Sequence, residues 1–189
     1  MRALVIADDY DPETEPPLAE MVSRHHLDAV ITAGDLSQSA LAGIDTLAAP
    51  SMGVYGNHCD GTYLATLGVI DLHLNRVEFQ GISFVGLQRC VRYKDGSDDI
   101  LYTQDQYRTL VDSLPPADVL VTHCPPRGIN DHADTAHVGI DALRDWMTAT
   151  APAMIIHGHT YPQHPITEHH GIRIEYVYGA HVIETPSPR

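Results

Sequence analysis

The sequence predicts an α/β protein organised on a mainly parallel sheet, and three observations predict it. Short apolar runs at 4–7, 27–32 and 51–55 read as buried strands. Segments of helical spacing separate them, and strands joined through helices need the crossover connections of a parallel sheet. Two later runs, at 118–122 and 153–156, again alternate with helical segments.

The elements follow in order. The first run stops at Asp8-Asp9-Tyr10. Residues 11–17 hold three prolines among acidic residues, a loop. Leu18, Met21 and Val22 set a helix over 18–26. The second run is stopped by Gly34-Asp35. Leu41, Ile44 and Leu47 repeat at helical spacing before Pro50. The strand at 51–55 leads through Gly56 to Asn57-His58, and 63–67 is a short helix. The runs at 72–74, 77–79 and 82–87 are close together and broken by Asn75-Arg76 and Gln80-Gly81, as in hairpins. Residues 88–99 are polar and read as a loop. An amphipathic helix is expected over 103–114, with Thr103 as its N-cap. The strand at 118–122 ends at His123. Residues 124–136 have no hydrophobic period and read as an irregular loop over a site. A helix over 139–149 carries Trp146. The strand at 153–156 leads to His157-Gly158-His159, and 172–178 and 181–184 close the chain as antiparallel strands. No repeat or linker interrupts this order, so one domain spanning 1–189 is expected.

Composition narrows the function. The chain has 189 residues, a net charge of −14 and thirteen histidines. Such a balance excludes a general nucleic-acid or anionic-membrane surface, because no cationic field draws phosphate chains. A small phosphorylated substrate is compatible with it if a metal supplies local positive charge. Three cysteines with no CxxC pair argue against a disulfide framework and a thiolate zinc site. With no apolar run of about 20 residues and no signal-peptide pattern at the start, a cytoplasmic location is expected.

Five strand ends carry the chemistry: Asp8, Asp35, Asn57, His123 and His159. Ligands in open α/β sheets bind outside the carboxyl ends of the strands. One Asp after a strand is ordinarily a turn or capping residue. Five polar ends in succession, two of them histidines, are hard to explain as caps. Carboxylate, amide oxygen and imidazole make a mixed N/O set suited to Mn, Fe, Co, Ni or Zn.

The stretches A-D-D-Y, G-D-L-S, G-N-H-C, V-T-H-C-P-P and H-G-H-T-Y, in that order, resemble the motif series of the calcineurin-like metallophosphoesterases, from Asp8 to Tyr161. The resemblance implies a four-layer αββα arrangement, a central mixed β-sandwich flanked by helices. It also implies hydrolysis of a phosphomonoester or phosphodiester by a metal-activated hydroxide, with a small substrate, nucleotides among the candidates. By the same resemblance Asp35 bridges two metals, and Asn57, His123 and His159 complete one metal site. Asp8 belongs to the other, and His58 protonates the leaving oxygen. His137 resembles a histidine on the substrate side.

Three positions depart from the family pattern. Tyr10 and Tyr161 stand where it has metal-ligating histidines, both at the same metal position, and Cys59 stands where it has an acidic residue orienting the catalytic imidazole. Asp60 follows one position later. Three outcomes are open for the altered site: phenolate ligation of a hard cation, substitution by His164, His157 or His132, or a weak or empty second position, which we favour. Arg89, Arg92 and Arg127 lie in loops where any one is a candidate phosphate clamp, though each alone reads better as a solvated charge. Cys59 and Cys124 follow site histidines, but buried packing is the better reading than a nucleophile. The expectation is therefore a metal-dependent phosphoesterase. The alternative is an inactive relative that binds a metal or nucleotide.

Overall fold

A computed structural model describes residues 1–59, 61–95 and 100–188. Asp60 and part of the expected 88–99 loop lie outside the described residues.

The elements run β1 (Arg2–Ala7), α1 (Leu18–His25), β2 (Ala29–Ala33), β3 (Ser51–Val54), α2 (Tyr63–Thr66), β4 (Ile70–Asp71), β5 (Val77–Phe79), β6 (Ile82–Leu87), β7 (Cys90–Val91) and β8 (Leu101–Tyr102). Then come α3 (Gln104–Asp112), β9 (Val119–Thr122), α4 (Ala142–Thr150), β10 (Met154–His157), β11 (Glu168–His169), β12 (Ile172–Tyr176) and β13 (Gly179–Glu184). Two sheets carry most strands. A five-stranded sheet has the order β13-β1-β2-β3-β4, and a six-stranded sheet the order β11-β12-β10-β9-β6-β5. In the first, β1 to β4 are parallel and β13 is antiparallel to β1. In the second, β12, β10, β9 and β6 are parallel, with antiparallel edges β11 and β5.

Alternation along each strand decides what meets what, since successive side chains point to opposite faces. Ala3, Val5 and Ala7 of β1 join Ile31 and Ala33 of β2 in one buried cluster with Phe84, Val119, Val121, Met154 and Ile156 of the six-stranded sheet. The intervening Leu4, Ile6 and Val30 join Leu18 and Met21 of α1 and Tyr63 and Leu64 of α2. On the other side Val85, Leu87, Leu120 and Ile155 join Tyr107 of α3 and Leu143, Trp146 and Met147 of α4. Burying each of these large side chains contributes about 1.5–3 kcal/mol. The Trp146 indole N–H donates to the Leu114 carbonyl at 3.1 Å, so the ring is buried without an orphaned donor.

The helix α3 starts where its cap dictates. Thr103 accepts from the Gln106 N–H (3.2 Å), and the Gln106 side chain accepts from the Thr103 N–H (2.8 Å). This reciprocal box satisfies two of the N–H groups that open a helix. Among the described residues no helix is long and apolar enough to cross a membrane.

Several expected elements differ. The helical spacing of Leu41, Ile44 and Leu47 yields only a 3-10 turn, Ile44–Thr46, because Gly43 adopts φ 85° and interrupts the chain. The run at 72–74 is not a strand. Leu72 is core, and pairing with β3 falls on Ile70–Asp71. Part of the 88–99 segment pairs as β7 with β8. The helix with Trp146 begins three residues later than expected, at Ala142. The last two strands do not pair with each other: β12 lies beside β10 in one sheet, and β13 lies beside β1 in the other. Val177 is fully buried at the crossing, in the cluster shared by both sheets.

Candidate metal centre

Three of the five strand ends leave their strands in the left-handed region: Asp8 at φ 61°, Asp35 at φ 53° and His159 at φ 69°. Asp and His tolerate this conformation better than most residues, at a cost of order 1 kcal/mol each. Glycines supply the close approaches. A Cβ on Gly56 would stand 2.1 Å from Asp35 Oδ1, and one on Gly158 would stand 2.6 Å from Asp8 Oδ2. These strand ends therefore touch only because two residues there lack a side chain.

Asp8, Asp35 and His123 each offer a ligand atom within 4.8 Å of the other two, and as a group they can hold a metal ion. The Asp8 amide donates to the Gly34 carbonyl (3.1 Å), and its Oδ2 accepts the His159 N–H (2.9 Å). Asp35 accepts the His58 N–H on Oδ1 (2.7 Å) and lies 3.3 Å from His123 Nε2 through Oδ2. Asn57 is buried, with Oδ1 3.0 Å from the same Nε2. Its Nδ2 has no hydrogen-bond partner among the described residues.

The tautomer of His123 bears on whether an ion fits. Its Nδ1 lies 2.8 Å from the Ala33 carbonyl, which only accepts, so Nδ1 carries a proton. Nε2 faces the Asp35 and Asn57 oxygens, and the raised pKa of the ring favours a second proton there when no cation takes its place. Lone pairs facing one another in a buried site repel unless a proton or a metal cation lies among them. His159 is arranged alike: Nε2 donates to the Ala136 carbonyl at 2.9 Å, which leaves the Nδ1 lone pair, and its ring lies 4.9 Å from that of His123. A histidine whose second nitrogen donates to a carbonyl is oriented as a metal-ligating histidine is. The donor set fits a divalent transition ion.

The electrostatics agree. Burial pushes the Asp8 carboxyl up to about 6, against the pull of His123. Burial also opposes ionisation of Asp35, but the His123 charge and hydrogen bond, with the His58 N–H, hold it well below the usual carboxylate range. Burial pulls His123 down, and Asp35 and Asp8 more than offset this, so its pKa is raised. Burial, reinforced by the His123 charge, drops His159 to about 3 and keeps it neutral.

His58 is exposed at the mouth of this group, its backbone tied to Asp35. Cys59 accepts the Gly56 N–H (3.2 Å) and reaches Asp35 Oδ1 at 3.8 Å, and burial with the Asp35 charge pushes its thiol up to about 11. It therefore supports the loop that carries Asn57. Arg89, expected in a covering loop, is instead only 3% exposed. Its guanidinium stacks over Tyr55 and donates to the Gly56 carbonyl at 2.9 Å. A buried cation so placed fixes the turn before Asn57, which the polar sequence around Arg89 concealed.

The departures from the family pattern occupy distinct places. Tyr10 packs in the cluster with α1 and donates to the Pro16 carbonyl at 3.0 Å. Tyr161 is 55% exposed, with its ring 6.0 Å from His137 and 5.4 Å from Tyr178, whose hydroxyl donates to Asp9 (3.1 Å). His137 lies 5.4 Å from His159, and its Nδ1 donates to Asp134 at 2.9 Å. Sequence reading missed Asp134, although its spacing of three before His137 in an irregular loop was a usable signal. His164 is exposed. His157 is buried, accepting from Asn130 and donating to the Gly158 carbonyl, each at 3.0 Å. His132 lies 5.8 Å from His137.

Comparisons with known proteins bear on the fold. No family model matches the chain. No curated protein matches it either. One solved structure aligns with a TM-score of 0.69 at 13% identity, over 98% of this chain and 99% of the other. The crystal structure of TT1561 of Thermus thermophilus aligns with a TM-score of 0.66 at 12% identity, over 94% of this chain and 89% of the other. At such identities the likeness shows a shared fold and nothing of the activity. A diphosphatase from the PhnP family aligns at a TM-score of only 0.34.

Proposed function

We propose that residues 1–189 form one metallophosphoesterase domain of calcineurin-like, four-layer type, which hydrolyses a phosphomonoester or phosphodiester of a small substrate. The observation that carries this reading is the convergence of Asp8, Asp35 and His123 within 4.8 Å at strand ends drawn from both sheets. Asn57 Oδ1 and His159 Nδ1 complete the proposed ligand set. A divalent ion held there supplies positive charge for phosphoryl oxygens and acidifies water.

The chain's own residues do the rest. His123 and the His58 N–H hold Asp35 below the usual carboxylate range, which favours the ionised form that a metal ligand needs. His58, exposed beside Asp35, is placed to hand a proton to a departing oxygen. His137, held by Asp134 and 5.4 Å from His159, is the residue we assign to orienting substrate. With a net charge of −14, the protein offers no general surface for nucleic acid, so a small substrate is the better fit.

A second reading, a metal- or nucleotide-binding relative without turnover, is favoured by Tyr10, whose hydroxyl is committed to Pro16. Hydrolysis of p-nitrophenyl phosphate and bis(p-nitrophenyl) phosphate with added Mn separates the two. Turnover that requires Mn and falls at least about 100-fold in His58→Ala and Asp35→Asn is expected. Mn binding without turnover of either ester selects the second reading, and no Mn binding at all refutes the phosphoesterase and leaves the second reading only if ATP or another nucleotide binds.

A further inference from the structure

Away from the strand ends, a cleft of about 410 Å³ opens between α4 and the β11–β12 hairpin. Arg144, Met147, Thr148 and Ala151 recur at three- and four-residue intervals, so one face of α4 forms its wall. Ile129, Met147 and Ile172 form an apolar floor and are buried. Its volume lies in the range of sites for small organic molecules.

The rim is basic. His169 and His170 have rings 4.3 Å apart, and Arg144 stands across from them in the same lining. None of the eight lining residues is acidic. Glu168, in the same hairpin, gives its Oε1 to the Gly171 N–H at 2.8 Å. Arg144 donates to the Arg127 carbonyl at 3.0 Å and forms no ion pair among the described residues. Burial and then the charges of His170 and Arg144 lower the His169 pKa against the opposing pull of Glu168, so the rim groups feel one another. On a chain of net charge −14, an arginine with no ion pair among the described residues, set over an apolar floor with two imidazoles opposite, is an exception, even with Glu168 close enough to act on His169. Arg144 offers an anion a cation and the two imidazoles offer it N–H donors, and the floor selects an anion with an apolar body.

We propose that this cleft binds a small amphipathic carboxylate, its headgroup between Arg144 and the His169–His170 pair and its apolar body on Ile129, Met147 and Ile172. The site shares no lining residue with the proposed metal ligands, so it stands or falls separately from the phosphoesterase reading.

Calorimetric titration of the full chain with octanoate tests it, with octylammonium and inorganic phosphate as probes of charge and of apolar body. Saturable octanoate binding below about 5 mM is expected, with neither control binding. His169→Gln/His170→Gln, which keeps the shape of the rim, and Arg144→Gln should each weaken it about tenfold. Thr148→Trp, an exposed change that fills the cleft, should abolish it. No octanoate binding, equal binding of octylammonium or phosphate, or unchanged affinity in all three variants would overturn the proposal.

Discussion

The Asp8 carboxylate is fixed by the backbone N–H of His159, 2.9 Å away and 151 residues later in the chain. The bond needs the β1 end and the Gly158–His159 turn to touch. Gly158 permits this, since a Cβ there would meet Asp8 Oδ2 at 2.6 Å. Gly158→Ala should therefore push Asp8 aside while every other proposed ligand keeps its residue type. Mn affinity should fall about 10–100-fold, the range for a lost supporting contact. Titration calorimetry checks this, and unchanged affinity would place Asp8 outside the ligand set.

Proton and metal compete for the same lone pairs. The raised pKa of His123 contributes stability that is present below its unfolded value and lost as pH rises through the folded one. Asp8, raised to about 6, holds its proton more tightly when folded, so its contribution also declines as pH rises from about 4 towards 6. Asp35 runs oppositely: its lowered pKa stabilises above the unfolded value and is lost only in strong acid. An ion replaces the protons on Asp8 and His123. The gap in melting temperature between Mn-loaded and EDTA-treated protein should thus widen between pH 5 and pH 8. A gap that is constant or narrows over this interval contradicts the ligand assignment.

Arg89 offers a test of how the Asn57 turn is held. Arg89→Met keeps an apolar stem of similar length and removes the guanidinium over Tyr55, with its donor to Gly56 and an Nε that has no partner among the described residues. Leaving the Gly56 carbonyl without its donor costs about 1–3 kcal/mol, partly offset because a buried charge is gone. Loss of the Gly56 anchor should also weaken Mn binding about tenfold or more. A thermal melt alongside the binding titration separates the two effects. A large drop in melting temperature with unaltered affinity would make Arg89 a residue of the fold alone.

The cysteines should be slow. Burial pushes Cys124 up to about 12, and Cys59 stands at about 11. Little thiolate exists at pH 8 for either, and reaction requires thiolate. Ellman's reagent should therefore titrate these thiols only after denaturation. Rapid labelling of Cys59 in the native protein would revive a nucleophilic role for it.

The strand ends were legible because the signal is local. An apolar run that stops at Asp8, Asp35 or His123 declares both the strand and its chemistry within a few residues. The partition into sheets was not, because nothing near Val177 states that the next strand crosses to β1. Helical spacing at 41–47 misled because Leu41 and Ile44 are indeed buried, but by an irregular chain around Gly43. Arg89 looked like a solvated charge because its partners, the Tyr55 ring and the Gly56 carbonyl, lie more than thirty residues away in sequence.

Asp8 and Asp35 follow strands of the five-stranded sheet, whereas His123 follows β9 of the six-stranded sheet. Between their central strands the sheets meet through packed apolar side chains. An ion among the three residues would therefore be a clasp on one end of the sheet pair. Stripping it should loosen that end first, and amide exchange should quicken at residues 8, 35 and 123 well before it quickens in the middle of β1 or β9.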